Sequence, residues 1–218
     1  MSKPLFVSLI LVVSLFFSCH SKKAYNEAVV KIETNYGDII VELYPKLAPK
    51  TVAAFLSYVD SGYYKDASFY RVLKAEDQPS NAFKSDLIQG GIWQTKNKLQ
   101  TSLPGSPLET TRNTGILHKD GTISLARSTP NTGNTEFFIL IGDSKAYDYG
   151  GDANPDGQGF AAFGKVVEGM DYVKQIHAQP DNNTRFTPPI AIKNIVRLWG
   201  EVNLNNRAQH PSYLHWHF

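Results

Sequence analysis

The sequence predicts a mainly β fold, an antiparallel barrel of about seven or eight short strands with a short helix over each open end. Three observations lead there. Apolar and polar residues alternate with a period of two over 29–45, and further short apolar segments read as strands. Helical spacing is confined to two stretches. Turn residues punctuate the chain, with 16 Gly and 12 Pro among 218 residues. No internal repeat is visible, and 42% apolar content at this length suits one domain with a full core.

The elements follow in order. Residues 29–45, "VVKIETNYGDIIVELYP", alternate on both sides of Asn35-Tyr36-Gly37, which is the pattern of a hairpin. In residues 47–64, Val52, Phe55, Leu56 and Val59 have helical spacing and Gly62 marks a stop. "ASFYRVL" (67–73) reads as a strand, and a polar stretch over 74–86 leads to "LIQGG" (87–91). Residues 94–120 are poor in apolar residues and read as a long surface excursion. "GTISLA" (121–126) and "EFFILIG" (136–142) are strands flanking the polar loop of "ARSTPNTGNTEFFIL". A Gly-rich loop and a strand fill 148–170, a short helix 170–178, and a last strand 191–200.

The first residues differ from the rest. An apolar run from Leu5 to Phe17 is shorter than the ~20 residues a membrane-spanning helix needs, and it fits the apolar part of a secretory signal. The chain's one cysteine, Cys19, sits at its end. The position resembles a bacterial lipoprotein signal, cut before Cys19, with lipid then attached to that cysteine. A plain secretory signal with an incidental cysteine is the alternative. The expected organisation is a signal over 1–18, a tether over 19–28, the barrel domain over 29–201 and an aromatic and His-rich tail over 202–218. The expected location is a bacterial cell envelope, lipid-anchored and facing the periplasm.

Several function classes fall away. A net charge of +2 without a basic face argues against nucleic acid. "DANPDGQG" (152–159) begins like a calcium loop, but Phe163 stands where the bidentate Glu is needed. "GQGFAAFG" (157–164) is not a dinucleotide fingerprint. His210, His215 and His217 crowd the tail with no carboxylate or Cys near in sequence, so no metal site is expected. There is no Gly-x-Ser-x-Gly, so no covalent intermediate is expected.

"FYRVL", "LIQGG" and "ARSTPNTGNTEFFI", in that order, resemble the cyclophilin family of peptidyl-prolyl isomerases. The resemblance runs from about Val30 to Trp199 and includes "YGDIIVELYPKLAPKTVAAF" and "FGKVVEGMD". It implies a closed antiparallel eight-stranded barrel capped by two short α-helices, acting as a monomer on proline-containing polypeptides without a cofactor.

The chemistry suits these residue types. Rotation about an X–Pro bond breaks amide resonance, a barrier of ~20 kcal/mol. In the twisted state the prolyl nitrogen regains a lone pair, so a donor aimed at it strengthens only there. A guanidinium is always charged and directional. Lowering the barrier by ~7 kcal/mol would accelerate rotation roughly 10⁵-fold. The resemblance assigns the catalytic role to Arg71. It assigns the floor of the proline slot to Phe138, an apolar wall to Leu87, the amide that orients the arginine and a substrate carbonyl to Gln89, and the strip beside an extended substrate to Ala126 and Arg127. Phe137 and Phe138 face opposite sides of a strand, so one serves the core and the other the slot.

Departures from the family pattern carry expectations too. Glu136 replaces a common Gln, and an acid there is expected to pair with Arg71 or Arg127. Asp86 replaces an aromatic wall residue, for which Phe83 is a substitute. The insert over 74–86 is expected to reshape one rim. Ala146 or Tyr147 stands where a Trp is frequent, and Phe160 replaces a His, making that wall more apolar. Two other readings stay open: a catalytically weak chaperone module that binds proline peptides, and a structural lipoprotein with a vestigial groove.

Overall fold

A computed structural model describes residues 28–81 and 83–198. The hairpin comes first, as β1 (Val29–Thr34) and β2 (Asp38–Leu43). Thr34 Oγ1 holds its turn, accepting from the Tyr36 and Gly37 amides at 3.0 and 3.2 Å and donating to the Gly37 carbonyl at 2.7 Å. Helix α1 (Pro49–Asp60) follows, then β3 (Ala67–Leu73) and β4 (Asp86–Gly91). Two short helices, α2 (Asn97–Ser102) and α3 (Thr111–Thr114), precede β5 (Thr122–Leu125) and β6 (Phe137–Ile141). The chain ends with β7 (Ala161–Glu168), α4 (Met170–His177), β8 (Asp181–Asn182) and β9 (Arg185–Leu198).

Strand neighbours run β1-β2-β7-β5-β6-β4-β3-β9, and β9 pairs back to β1. Every pairing is antiparallel, so the sheet closes into a barrel of eight strands and leaves no long edge. The two-residue β8 pairs only with the start of β9.

Alternation sorts side chains across the barrel wall. Val30, Ile32, Ile39, Val41, Phe69, Ile88, Phe137, Ile139 and Phe163 belong to one interior cluster. Val52, Phe55, Leu56 and Val59 of α1 and Val173 and Ile176 of α4 join it, which is the apolar face the spacing predicted for α1. Phe137 meets Phe55, Tyr64 and Phe69 edge-on, each at 5.9 Å between ring centres.

Two expectations change. Residues 94–120 are not a bare surface excursion, because they carry α2 and α3 and bury Ser106, Thr110, Thr111, Thr114 and His118. The segment also caps α1: the Glu109 carboxylate accepts from the amides of Lys50 and Thr51 at 3.2 and 2.8 Å, where a helix start leaves donors unpaired. The last strand starts at Arg185, not 191, because its first half carries Pro188-Pro189, which interrupts the alternating pattern. The signal, most of the tether with Cys19, and the tail with His210, His215 and His217 lie outside the described residues.

Phe137 is 0% exposed, so Phe137→Ala should lower the free energy of unfolding by about 3–5 kcal/mol, read as a shift of the urea midpoint.

Candidate active site

Outside the interior core, Leu87, Phe138, Leu140 and Tyr147 form a second buried cluster, with Phe83, Ala126, Ala146 and Phe160 packed against it. In β6, Phe137 points into the barrel and Phe138 out of it. In β4, Ile88 points in while Leu87 and Gln89 point out, toward a cleft of about 710 Å³.

Strand β3 breaks the alternation. Phe69 and Val72 both enter the core, so the two residues between them share the outer face. A register shift between Phe69 and Arg71, seen against both β4 and β9, marks a β-bulge. It turns Tyr70 and Arg71 together into the cleft, where strict alternation would send Arg71 inward. Phe138, Gln89, Arg71 and Arg185 then occupy one rung across β6, β4, β3 and β9.

A relay of hydrogen bonds runs along that rung. The Arg71 guanidinium donates through Nη1 to Gln89 Oε1 at 3.1 Å. Gln89 Nε2 donates to the Tyr70 hydroxyl at 2.9 Å. Tyr70 donates to Glu136 Oε2 at 2.8 Å. The other Glu136 oxygen, Oε1, accepts from the amides of Ile92 and Trp93 at 2.9 and 3.0 Å and from Thr135 Oγ1 at 3.1 Å. A carboxylate can only accept, so it fixes the sense of the whole relay and leaves the Gln89 oxygen facing Arg71. Among the described residues this is the one side-chain hydrogen bond Arg71 makes, so the rest of its five N–H donors are left for the cleft that it lines.

The floor is aromatic. Phe160 stands edge-on to Phe138 at 5.2 Å and 87°, and Tyr147 lies 5.3 Å from Phe138. Behind Phe138 the His118 ring stacks at 6.1 Å and 14°. His118 Nδ1 meets Asp148 Oδ1 at 2.8 Å and Nε2 meets Ser124 Oγ at 3.1 Å. Burial works to raise the Asp148 carboxyl, but the His118 bonds outweigh it and hold it below the usual range. Serine, histidine and aspartate stand in hydrolase order here, yet Ser124 is 0% exposed and reaches no substrate. The trio supports the floor.

A family model described as cyclophilin type peptidyl-prolyl cis-trans isomerase/CLD matches residues 29–197. The chain belongs to the cyclophilin family. Peptidyl-prolyl cis-trans isomerase B of Escherichia coli is 32% identical over 149 residues, 68% of this chain and 83% of that protein. An isomerase of Acinetobacter baylyi is 32% identical over 167 residues, 76% of this chain and 79% of its own length. Among solved structures, a Cryptosporidium parvum cyclophilin type isomerase in the presence of the dipeptide Ala-Pro covers 77% of this chain and 97% of its own. Its TM-score is 0.59 at 26% identity. Family and relatives make the chain a peptidyl-prolyl cis-trans isomerase.

The cyclophilin cleft gathers Arg71, Leu87, Gln89, Ala126, Arg127, Glu136, Phe138, Tyr147 and Phe160, which all line it, but not Asp86 or Ala146. Their partners differ from expectation in places. Glu136 pairs with neither Arg71 nor Arg127; its carboxylate turns back to Tyr70, Thr135 and the chain after Gly91. Gly91 permits this, since its φ is +151° and an added Cβ would lie 2.5 Å from the Glu136 carboxylate. Arg127 is bidentate to Asp156, at 2.6 and 2.8 Å, and donates to the Gly159 carbonyl. Its guanidinium also lies 5.4 Å from the centre of the Phe160 ring, so it braces the 152–159 loop against that wall. The hydrogen bonds from Arg127 hold the Asp156 carboxyl down at about 2.

Asp86 is no wall residue. Its Oδ1 accepts from the Ala75 amide at 2.9 Å and faces His177 at 3.3 Å. The insert brings Phe83 in instead, edge-on to Tyr147 at 5.6 Å, and Ser85, bonded to the Tyr147 hydroxyl at 2.8 Å. That bond also places Tyr147, rather than Ala146, against Phe138. Tyr70, Trp93 and Arg185 line the cleft without having been expected. Tyr70 adjoins Arg71, so only the bulge could reveal it. Trp93 follows Gly90-Gly91-Ile92 and is exposed, so a lone Trp just past the glycines was a usable signal.

Burial pushes the Glu136 carboxyl above its ordinary 4.5, outweighing the donors that favour its charge. The folded chain therefore holds this proton more tightly than the unfolded one, and the stability it contributes is complete below 4.5 and lost as pH rises through the folded value. Unfolding free energies of wild type and Glu136→Gln, measured by urea titration from acid to neutral pH, should shift in favour of the variant as pH rises and then level off.

Proposed function

We propose that this cyclophilin accelerates rotation about X–Pro bonds with Arg71 as the donor to the prolyl nitrogen, acting without a covalent intermediate. The single rung that joins Phe138, Gln89 and Arg71 supports the reading best. A proline ring seated over Phe138 places its nitrogen toward the neighbouring strands, where the guanidinium stands. The charge on Arg71 favours the twisted amide, whose nitrogen is a better acceptor than the planar one. Leu87, Tyr147, Phe160 and Phe83 surround the ring with apolar surface, and the backbone at Ala126 and Arg127 borders the substrate chain. A proline dipeptide accompanies the related Cryptosporidium structure, and such peptides are the ligands proposed for this cleft.

Tyr70 and Glu136 are positioning residues in this scheme. They hold Gln89 so that its oxygen, not its amino group, meets the guanidinium. The substrates proposed are exported or unfolded polypeptides, met by a monomer held at a bacterial envelope by lipid on Cys19 and facing the periplasm. This rests on the sequence pattern around Cys19.

Arg71→Ala should lower kcat/KM for an Ala-Pro peptide by roughly 10²–10³, as loss of one transition-state donor does. Exchange NMR or a protease-coupled assay reads this; equal rates that are both as slow as the uncatalysed peptide would leave a peptide-binding module instead, and equal fast rates would remove only the role of Arg71. Tyr70→Phe keeps the ring but breaks the relay. It should lower kcat about ten-fold with KM little changed, the pattern of an effect confined to the transition state. Cys19→Ser should move the protein from the membrane to the soluble fraction of cells that express the full chain.

A further inference from the structure

Arg185 extends the catalytic rung by one strand. It is the register partner of Arg71 on β9, is exposed, and lines the same cleft. Two arginines are thus register partners lining one cleft, an arrangement of like charges that is unfavourable across paired strands. Among the described residues no carboxylate pairs with Arg185 or with Arg71. The acids nearby in the chain are engaged elsewhere: Asp181 with Lys74 at 2.8 Å, and Asp86 with the Ala75 amide and His177. Of the other charges lining the cleft, Arg127 is neutralised by Asp156, and Glu136 is buried behind Tyr70. The end of the cleft toward β9 is therefore positive and unpartnered.

We infer that Arg185, beside Arg71, forms a carboxylate-accepting subsite that selects proline segments carrying Asp or Glu close to the proline. The inference rests on the proposed seating of proline over Phe138. Neighbouring strands lie about 4.8 Å apart, so the backbone of Arg185 is roughly 15 Å from that of Phe138 along the rung. An extended peptide covers about 3.3 Å per residue, and the long arginine side chain shortens the gap further. The acid therefore falls within about three residues of the proline, on the side where the substrate passes Arg71. Arg185 is a specificity residue, and a neutral peptide does not need it.

The test uses blocked peptides, acetylated and amidated so that no terminal charge intrudes, with Glu, Gln or Lys placed in turn at each of the three positions on either side of Ala-Pro. At low salt the wild type should favour Glu over Gln at one or two positions on one side by about two- to five-fold in kcat/KM, the range of an exposed ion pair. The preference should shrink as salt is raised. Arg185→Gln should abolish it and leave kcat/KM for the neutral peptide unchanged, while Arg185→Lys should keep part of it. NMR titration of the same peptides reads the preference as binding, independent of turnover. No preference in wild type, or the same preference in Arg185→Gln, overturns the subsite. Failure to turn over the neutral peptide counts instead against the catalytic reading of Arg71, and the titration still decides on Arg185.

Discussion

The cleft depends on two consecutive residues of β3 facing the same side of the barrel wall. Without the bulge at Tyr70, the pleat would send the Arg71 side chain into a core of Phe69, Ile88 and Phe137. A guanidinium cannot be buried there unpaired. The irregularity is held from both flanks, since β4 and β9 shift register at the same place and the Val72 amide bonds to the Thr184 carbonyl at 2.9 Å. A closed barrel makes such a device stable: every strand is fixed by two neighbours, so one extra residue is absorbed locally and the register beyond it survives.

The same bulge creates the need for a buried acid. Tyr70 is turned out beside Arg71 with its hydroxyl against β6, away from water. Burial pushes its phenol well up, and the Glu136 carboxylate adds to the effect, so the hydroxyl keeps its proton and donates it. Glu136 in turn is costly to bury and is held by backbone amides that only a glycine at position 91 lets it approach. A polar network of this kind is favourable when each member is satisfied and unfavourable when one is lost. Bulge, tyrosine, acid and Gly91 thus form one unit with the orientation of Gln89 as its outcome.

Much of this was legible in the chain and some was not, for physical reasons. Period-two alternation marks strands wherever one face is buried and the other wet, as in the β1–β2 hairpin, while β6, buried on both faces, reads as a short apolar run. It also separates Phe137 from Phe138, because neighbours on a strand must diverge. The bulge is not located by the same rule: in "FYRVL" strict alternation puts Arg71 on the face of Phe69, and the place where the register slips is defined only by the partners on β4 and β9. Glu136 was assigned to an arginine because opposite charges attract in sequence as in space. The sequence does not reveal that Asp156 reaches Arg127 first, or that amides two strands away reach Glu136. Residues 94–120 look like solvent-exposed loop because most of their buried side chains are Ser and Thr, with Ile116 and His118 the exceptions, and small polar residues have no apolar signature.

Chemistry without covalent steps places unusual weight on such orientation. The proposed donor gains its advantage only if it points at the nitrogen before the amide twists, because a side chain that reorients during the reaction loses what it gains. Arg71 sits on an exposed face with a long, flexible side chain, which is poorly suited to that task by itself. The relay supplies what the side chain lacks. Gln89 anchors one end of the guanidinium, Tyr70 anchors Gln89, and Glu136 anchors Tyr70 to the backbone after Gly91. Flexibility therefore decreases along the relay from cleft to core, and the rigidity of the barrel is carried outward to the proposed donor.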